Sequence, residues 1–88
     1  MNEVLIRDYR KKSNLDWFND NYFIAIYDQN DNNIMSFEDI ETPVKVFNIT
    51  LQRLLDKIRN NLGIEYKGHK LKIYVFEKEK EIENVRRR

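Results

Sequence analysis

The most continuous apolar segment of the chain runs from Tyr22 to Tyr27 and reads Tyr-Phe-Ile-Ala-Ile-Tyr. Six consecutive apolar or aromatic residues, rich in β-branched and aromatic types, are typical of a strand that is covered on both faces. A run of Asp, Asn and Gln follows over residues 28–33, and such residues tolerate turn conformations. Because residues 34–37 are again largely apolar, the pattern predicts an antiparallel hairpin with a loop of about six residues.

A helical pattern begins after this hairpin. Thr42 can cap a helix and Pro43 is tolerated at the first helical position. Apolar residues then recur at helical spacing, at Val44, Phe47, Ile49, Leu51, Leu54, Leu55, Ile58 and Leu62. The spacing predicts two helices that break at residues 48–50, where Asn48 accepts a left-handed backbone and Thr50 can cap the second helix. Asn60, Asn61 and Gly63 are expected to end that helix, with Gly63 in the left-handed conformation.

The pattern changes to period two after Gly63. Ile64 and Tyr66 alternate with polar residues, residues 67–70 form a basic turn, and apolar residues alternate again to Phe76, which predicts a second hairpin. Residues 4–9 fit a helix and a strand equally well. Residues 77–88 are mostly charged and predict a C-terminal helix or a disordered tail. We therefore expect one α+β domain over residues 1–88, small and winged-helix-like: a β-hairpin, a helix-turn-helix-like pair and a second β-hairpin.

Composition narrows the class of function. The 88 residues include no cysteine and one histidine, His69, so the chain has no disulfide framework and no thiolate zinc site. No serine has a histidine at a plausible spacing, and no glycine-rich phosphate loop is present. We therefore expect a protein that is not an enzyme and that uses no metal and no cofactor. No apolar run approaches the roughly 20 residues of a membrane helix, and the first residues lack a signal-peptide pattern, which predicts a cytoplasmic protein without membrane contact.

Charge is distributed unevenly along the chain. Residues 13–42 contain no Lys or Arg and seven acids, a net charge of −7. We call these acids the acidic block: Asp16, Asp20, Asp28, Asp31, Glu38, Asp39 and Glu41. Residues 43–72 contain seven bases and two acids, a net charge of +5. This asymmetry indicates a charged partner, or else two halves that pair with each other across the fold.

The two predicted helices have the spacing of a helix-turn-helix. Val44 and Phe47 lie on the first helix, Asn48 stands where glycine is usual, and apolar anchors follow on the second helix. The second helix would then present polar side chains to phosphates and base edges. These candidate contacts are Gln52, Arg53, Lys57, Arg59 and Asn60. The alternative is an ordinary corner of two helices packed on a sheet, with its Lys and Arg side chains solvated.

The basic turn follows the second helix directly, where a winged helix carries its wing. Cations at a hairpin tip neutralise phosphates and make binding salt-dependent. The candidate contacts here are Lys67, His69, Lys70 and Lys72. The alternative is a solvated hairpin tip whose lysines protect a strand edge from aggregation.

Three segments together carry a resemblance to a group of known proteins: residues 22–32, which read Tyr-Phe-Ile-Ala-Ile-Tyr-Asp-Gln-Asn-Asp-Asn, residues 36–40, and residues 44–50. They resemble small proteins encoded by phages and mobile elements of low-GC Gram-positive bacteria, which pair a short β-hairpin with a helix-turn-helix-like segment. The resemblance implies a binding module in the host cell cytoplasm that contacts nucleic acid. Small acidic phage proteins also include anti-CRISPR inhibitors, so the alternative is an inhibitor that binds a basic host protein, such as a defence nuclease, through the acidic block. The oligomeric state stays open.

Overall fold

The computed structural model describes residues 2–79, which form four helices and four strands. In chain order they are α1 (Asn2–Ile6), α2 (Lys12–Asn21), β1 (Tyr22–Tyr27), β2 (Asn33–Phe37), α3 (Glu41–Phe47), α4 (Leu51–Arg59), β3 (Ile64–Tyr66) and β4 (His69–Glu77). This arrangement confirms the predicted α+β class and both predicted hairpins. It also settles the N-terminal segment, which fitted helix and strand equally, as the short helix α1.

The two hairpins belong to one antiparallel sheet with the strand order β2-β1-β4-β3. β1 and β4 pair over their length, with Tyr22 opposite Glu77 and Tyr27 opposite Lys72. The second hairpin is therefore joined to the first along the whole of β1. Since β1 and β4 are both central, the turns that follow β1 and precede β4 lie at the same end of the sheet.

One face of the sheet carries the core. Ile24 and Ile26 of β1 lie opposite Val75 and Ile73 of β4, and both isoleucines of β1 are completely buried. Every described helix adds a residue to the same core cluster: Val4, Phe18, Phe47 and Leu54. Because these residues pack with Ile24 and Ile26, the helices cover this face of the sheet.

The junction between α3 and α4 has the predicted local geometry. Asn48 adopts the left-handed conformation (φ 55°), and the amides of Asn48 and Ile49 donate to the carbonyls of Lys45 and Val44. These are the two hydrogen bonds of a Schellman motif, which satisfy the last carbonyls of a helix. Thr50 then caps α4, its hydroxyl accepting from the amide of Arg53 at 3.1 Å. The predictions for Asn48 and Thr50 are confirmed.

The start of α3 differs from the prediction. The helix begins at Glu41, and Asp39, two residues earlier, accepts a hydrogen bond from the amide of Thr42 at 2.9 Å. Thr42 therefore does not cap the helix. Pro43 lies within the first turn, where backbone amides have no partner inside the helix and a missing N–H costs nothing.

The end of α4 also differs. The left-handed residue is Asn61 (φ 55°), and the amide of Leu62 donates to the carbonyl of Lys57 at 2.8 Å in a second Schellman motif. The prediction that Asn60 and Asn61 end the helix is confirmed, whereas the predictions that Gly63 takes the left-handed conformation and that Leu62 continues the apolar stripe are wrong. The helix stops at Arg59, so Leu62 lies outside the helical period and is 52% exposed.

The charged C-terminal segment begins inside the fold. Glu77 is the last residue of β4, and the amide of Lys78 donates to the carbonyl of Asn21 at 2.8 Å. The Lys78 ammonium reaches Glu38 at 3.2 Å. Glu77 and Lys78 therefore belong to the fold and not to the helix or tail predicted over residues 77–88, while residues 80–88 lie outside the described part of the chain.

Candidate nucleic-acid interface

The residues of α4 and its C-cap that were predicted to contact nucleic acid fall into two groups: some side chains have no partner in the described range, and the others are hydrogen-bonded within the protein. Gln52 and Arg53 are exposed, next to the buried Leu54 and Leu55. Their side chains form no hydrogen bond or ion pair with any residue between 2 and 79. This part of α4 therefore faces solvent, as the helical spacing predicts.

The C-terminal half of α4 is tied to the protein itself. Arg59 pairs with Asp56 one turn earlier at 2.9 Å, and the Asn60 amide donates to the carbonyl of Asp56 at 3.0 Å. The Lys57 ammonium donates to the carbonyl of Gly63 at 3.3 Å. An exposed ion pair on a helix, such as Arg59–Asp56, contributes only about 0.3–0.5 kcal/mol to stability. A phosphate group can therefore replace Asp56 as the partner of Arg59.

The basic turn is a two-residue hairpin loop. Lys67 and Gly68 both have positive φ, 50° and 82°, which is the requirement of a type I′ turn. The Lys67 ammonium lies 5.3 Å from the centre of the Tyr66 ring, while His69 and Lys70 begin β4 and are exposed. Seven residues separate the end of α4 from this turn: residues 60–63 and the three residues of β3, which span about 10 Å as an extended strand.

Lys72 is the one predicted wing residue that carries an ion pair. Its ammonium lies 2.7 Å from the Asp31 carboxylate, and this hydrogen bond raises the pKa of Lys72. The pair links the basic segment to the acidic block across 41 residues of sequence. Part of the charge asymmetry is therefore balanced within the fold, as the alternative interpretation of the charge pattern predicts.

An open cleft of about 710 Å³ lies between the two turns at this end of the sheet. Asp28 and Asn30 line one wall, and Lys67, His69 and Lys70 line the other. Apolar side chains of Met35 and Leu71 form part of its lining. The fold thus brings three of the predicted basic-turn contacts together with one acid of the block.

Two acids of the block serve the backbone. The Asp28 carboxylate accepts hydrogen bonds from the amides of Asn30 and Asn32 at 2.8 and 2.9 Å, which closes the loop between β1 and β2. The hydrogen bond from the Asn32 amide has the largest effect, and both bonds lower the pKa of Asp28. Asp39 likewise accepts from Thr42, and its pKa is also lowered.

The remaining acids are at the surface. Asp16 pairs with Lys12 at 3.1 Å and Glu38 with Lys78 at 3.2 Å. Asp20 and Glu41 are exposed, and their carboxylates form no ion pair with any residue of the described range. These two are therefore the acids of the block with no structural role in the described fold.

We predict that Asp28 makes the protein sensitive to acid. Since its pKa is lower in the folded state than the ordinary 3.8, its ionised form stabilises the fold above that value, and the contribution is lost as the pH falls through the folded-state pKa. Asp28→Asn keeps an acceptor oxygen without the charge, so its unfolding free energy should change less than that of the wild type on acidification below about pH 4. Urea unfolding at several pH values measures this, and parallel curves for the two proteins would contradict it.

Two arginines near the start of α4 were not among the predicted contacts. Arg7 and Arg10 line a second cleft of about 390 Å³ together with Gln52. The Arg7 guanidinium lies 3.6 Å from the centre of the Trp17 ring, and its Nε is buried with no hydrogen-bond partner among residues 2–79. The two segments that line this cleft, near Arg7 and near Gln52, are about 45 residues apart in the chain. The only indication of the cleft in the sequence is therefore the positive charge of residues 7–12.

Comparison with known proteins adds no family to this description. None of the helices in the described range is long and apolar enough to cross a membrane. No family model matches the chain, and neither a curated protein nor a solved structure matches it.

Proposed function

We propose that the protein is a non-enzymatic module that binds nucleic acid through α4 and the basic turn. The observation that carries this proposal is the exposure of Arg53, Lys67 and Lys70, none of which forms an ion pair within residues 2–79. Five of the seven acids of the block, in contrast, have partners inside the fold. Among the described Lys and Arg residues without an ion pair, Arg7 and Lys11 lie near the N-terminus, and the others lie on the helix-turn-helix-like segment or the turn that follows it: Lys45, Arg53, Lys57, Lys67 and Lys70.

The dimensions of this surface suit a duplex. A helix with its side chains is about 10–12 Å across, and the major groove, about 12 Å wide, admits a helix such as α4. Gln52 and Arg53 in the first turn of α4 carry the donors that read base edges in helix-turn-helix proteins. Lys67 and Lys70, on the hairpin that follows α4 in the chain, supply cations that neutralise phosphates.

We expect weak binding to duplex DNA that depends strongly on salt. If Arg53, Lys67 and Lys70 each contact one phosphate, log K should fall with log salt at a slope of about −2.7. Fluorescence anisotropy with a labelled mixed-sequence duplex, titrated at several salt concentrations, measures the slope. Absence of binding at low salt would overturn the proposal.

A matched pair of double variants locates the contacts. Lys67→Gln with Lys70→Gln should reduce the magnitude of the salt slope by about 1.8, because two phosphate contacts are lost. Lys11→Gln with Lys12→Gln removes the same charge at the start of α2 and should leave the slope unchanged. An equal loss in both double variants would mean that net charge, and not this surface, drives binding.

The second candidate is an inhibitor of phage or mobile-element type that binds a basic host protein, such as a defence nuclease. What favours it is that the acidic block stays at the surface even where it is paired: Asp31 is 72% and Glu38 is 80% exposed. Asp20→Lys with Glu41→Lys should abolish such an interaction, since like charges repel a basic partner, and should leave the fold intact. The same variant should strengthen or preserve binding to DNA, so the sign of the change separates the two functions.

A further inference from the structure

The face of the sheet opposite the core carries a cluster of aromatic side chains. Cross-strand pairing places Phe23 opposite Phe76 and Tyr27 opposite Lys72, on the face that Ile24 and Ile26 do not occupy. Tyr74 lies on the same face, opposite Ala25. We call Phe23, Tyr27, Tyr74 and Phe76 the aromatic platform. None of the four belongs to the core or packs against it.

The rings of the platform form a continuous surface. Ring centres are 5.6 Å apart for Phe23 and Phe76, 5.4 Å for Tyr27 and Tyr74, and 6.1 Å for Tyr74 and Phe76. Tyr74 and Phe76 are 38% and 41% exposed, whereas Ala25 between the strands is only 2% exposed. The described helices all pack on the other face of the sheet.

The platform has a cationic end. Continuing along β4 with the same alternation, Lys72 and Lys70 follow Tyr74 on this face, and Lys70 is exposed opposite Glu65. Asp31 neutralises Lys72, which leaves Lys67, Lys70 and the acid opposite Lys70, Glu65, without an ion pair in the described range, a net positive charge. An occupant of this face therefore meets flat rings along β4 and β1 and positive charge at the turn.

We propose that the aromatic platform binds single-stranded nucleic acid, with unpaired bases stacked on Tyr74 and Phe76 and the backbone running towards Lys70. Sheets that expose aromatic rings on their open face use them as stacking surfaces, and stacking accepts every base because each has a π-face. An aromatic surface ending in free lysines complements a polymer of flat rings joined by phosphates. The inference deepens the proposed function and rests on it for the charge of the basic turn.

The test compares labelled oligo-dT with an abasic oligonucleotide of equal length. Oligo-dT should bind more tightly, since only it offers bases to stack. Tyr74→Leu with Phe76→Leu keeps apolar bulk but removes two rings, and it should weaken oligo-dT binding at least tenfold, given about 1–3 kcal/mol for each stacked base. The control Ile6→Ala changes an exposed apolar residue of α1 and should have no effect. Equal affinity of the two oligonucleotides would overturn the proposal.

Two further readouts separate this inference from the proposed function. The platform variant should leave duplex binding unchanged, while Lys67→Gln with Lys70→Gln should weaken both duplex and oligo-dT binding. Loss of oligo-dT binding alone in the platform variant supports the inference even if the protein binds no duplex. The alternative occupant of this face is a second copy of the chain, which sedimentation velocity detects. If the wild type is a dimer, the platform variant a monomer and oligo-dT binding equal in both, the proposal is overturned and this face is a self-association surface.

Discussion

Replacement of Leu54 by alanine should lower the free energy of unfolding by about 2–5 kcal/mol, a large fraction of the roughly 5–15 kcal/mol that holds a domain folded. Leu54 is completely buried on α4, in a core cluster that also includes Ile24, Ile26 and Ile73 of the sheet. The substitution removes apolar contacts and leaves a cavity that the strands behind it can fill only partly. Urea unfolding followed by far-ultraviolet circular dichroism measures the loss as a lower midpoint with an unchanged slope.

The neighbouring residue provides the control. Arg53 is exposed, and its side chain makes no hydrogen bond within the described range, so Arg53→Ala should change stability by no more than about 0.5 kcal/mol. The same variant should weaken binding to duplex DNA. Equal stability losses for Leu54→Ala and Arg53→Ala would show that α4 is rotated relative to the arrangement described above.

The elements that the sequence predicted are those whose signals are local. β1 is a continuous apolar run bounded by turn formers, and the α3–α4 junction depends on two residues, Asn48 and Thr50, that perform their roles within a few positions. α2 carried no such signal. Six of its ten residues are Ser, Asn or Asp, which are unfavourable in the interior of a helix. The helix is stabilised instead by tertiary packing, since Phe18 is completely buried against Tyr9 and Tyr22.

The candidate site was predictable only in part. Exposure of Gln52 and Arg53 follows from the helical period, and the turn at Lys67 follows from the glycine beside it. The pairing of Lys72 with Asp31 joins residues 41 positions apart, so it depends on the order of the strands. The aromatic platform depends on that order as well, because only the pairing of β1 with β4 brings Phe23 and Tyr27 beside Tyr74 and Phe76.

Gly63→Ala should destabilise the protein by about 1–3 kcal/mol, because the new methyl group collides with the backbone of the neighbouring strand. A Cβ at this position would lie 2.7 Å from the carbonyl oxygen of Leu71, closer than a carbon and an oxygen approach without displacement. The collision is with main chain, so no side-chain rotation relieves it. Since β3 has only three residues and pairs from Ile64 onwards, the displacement falls at the start of that pairing.

Gly68→Ala is the comparison that tests this cause. Gly68 has φ +82°, where alanine is strained by roughly 1 kcal/mol, but its Cβ would meet no atom within 4 Å. We therefore expect Gly63→Ala to cost more than Gly68→Ala, although only Gly68 has a positive φ. Hydrogen exchange should show the difference locally, with faster exchange of the amides shared by β3 and β4 in Gly63→Ala. A larger loss of stability in Gly68→Ala would mean that the approach of residue 63 to β4 is looser than described, and that the conformation of the turn dominates this hairpin.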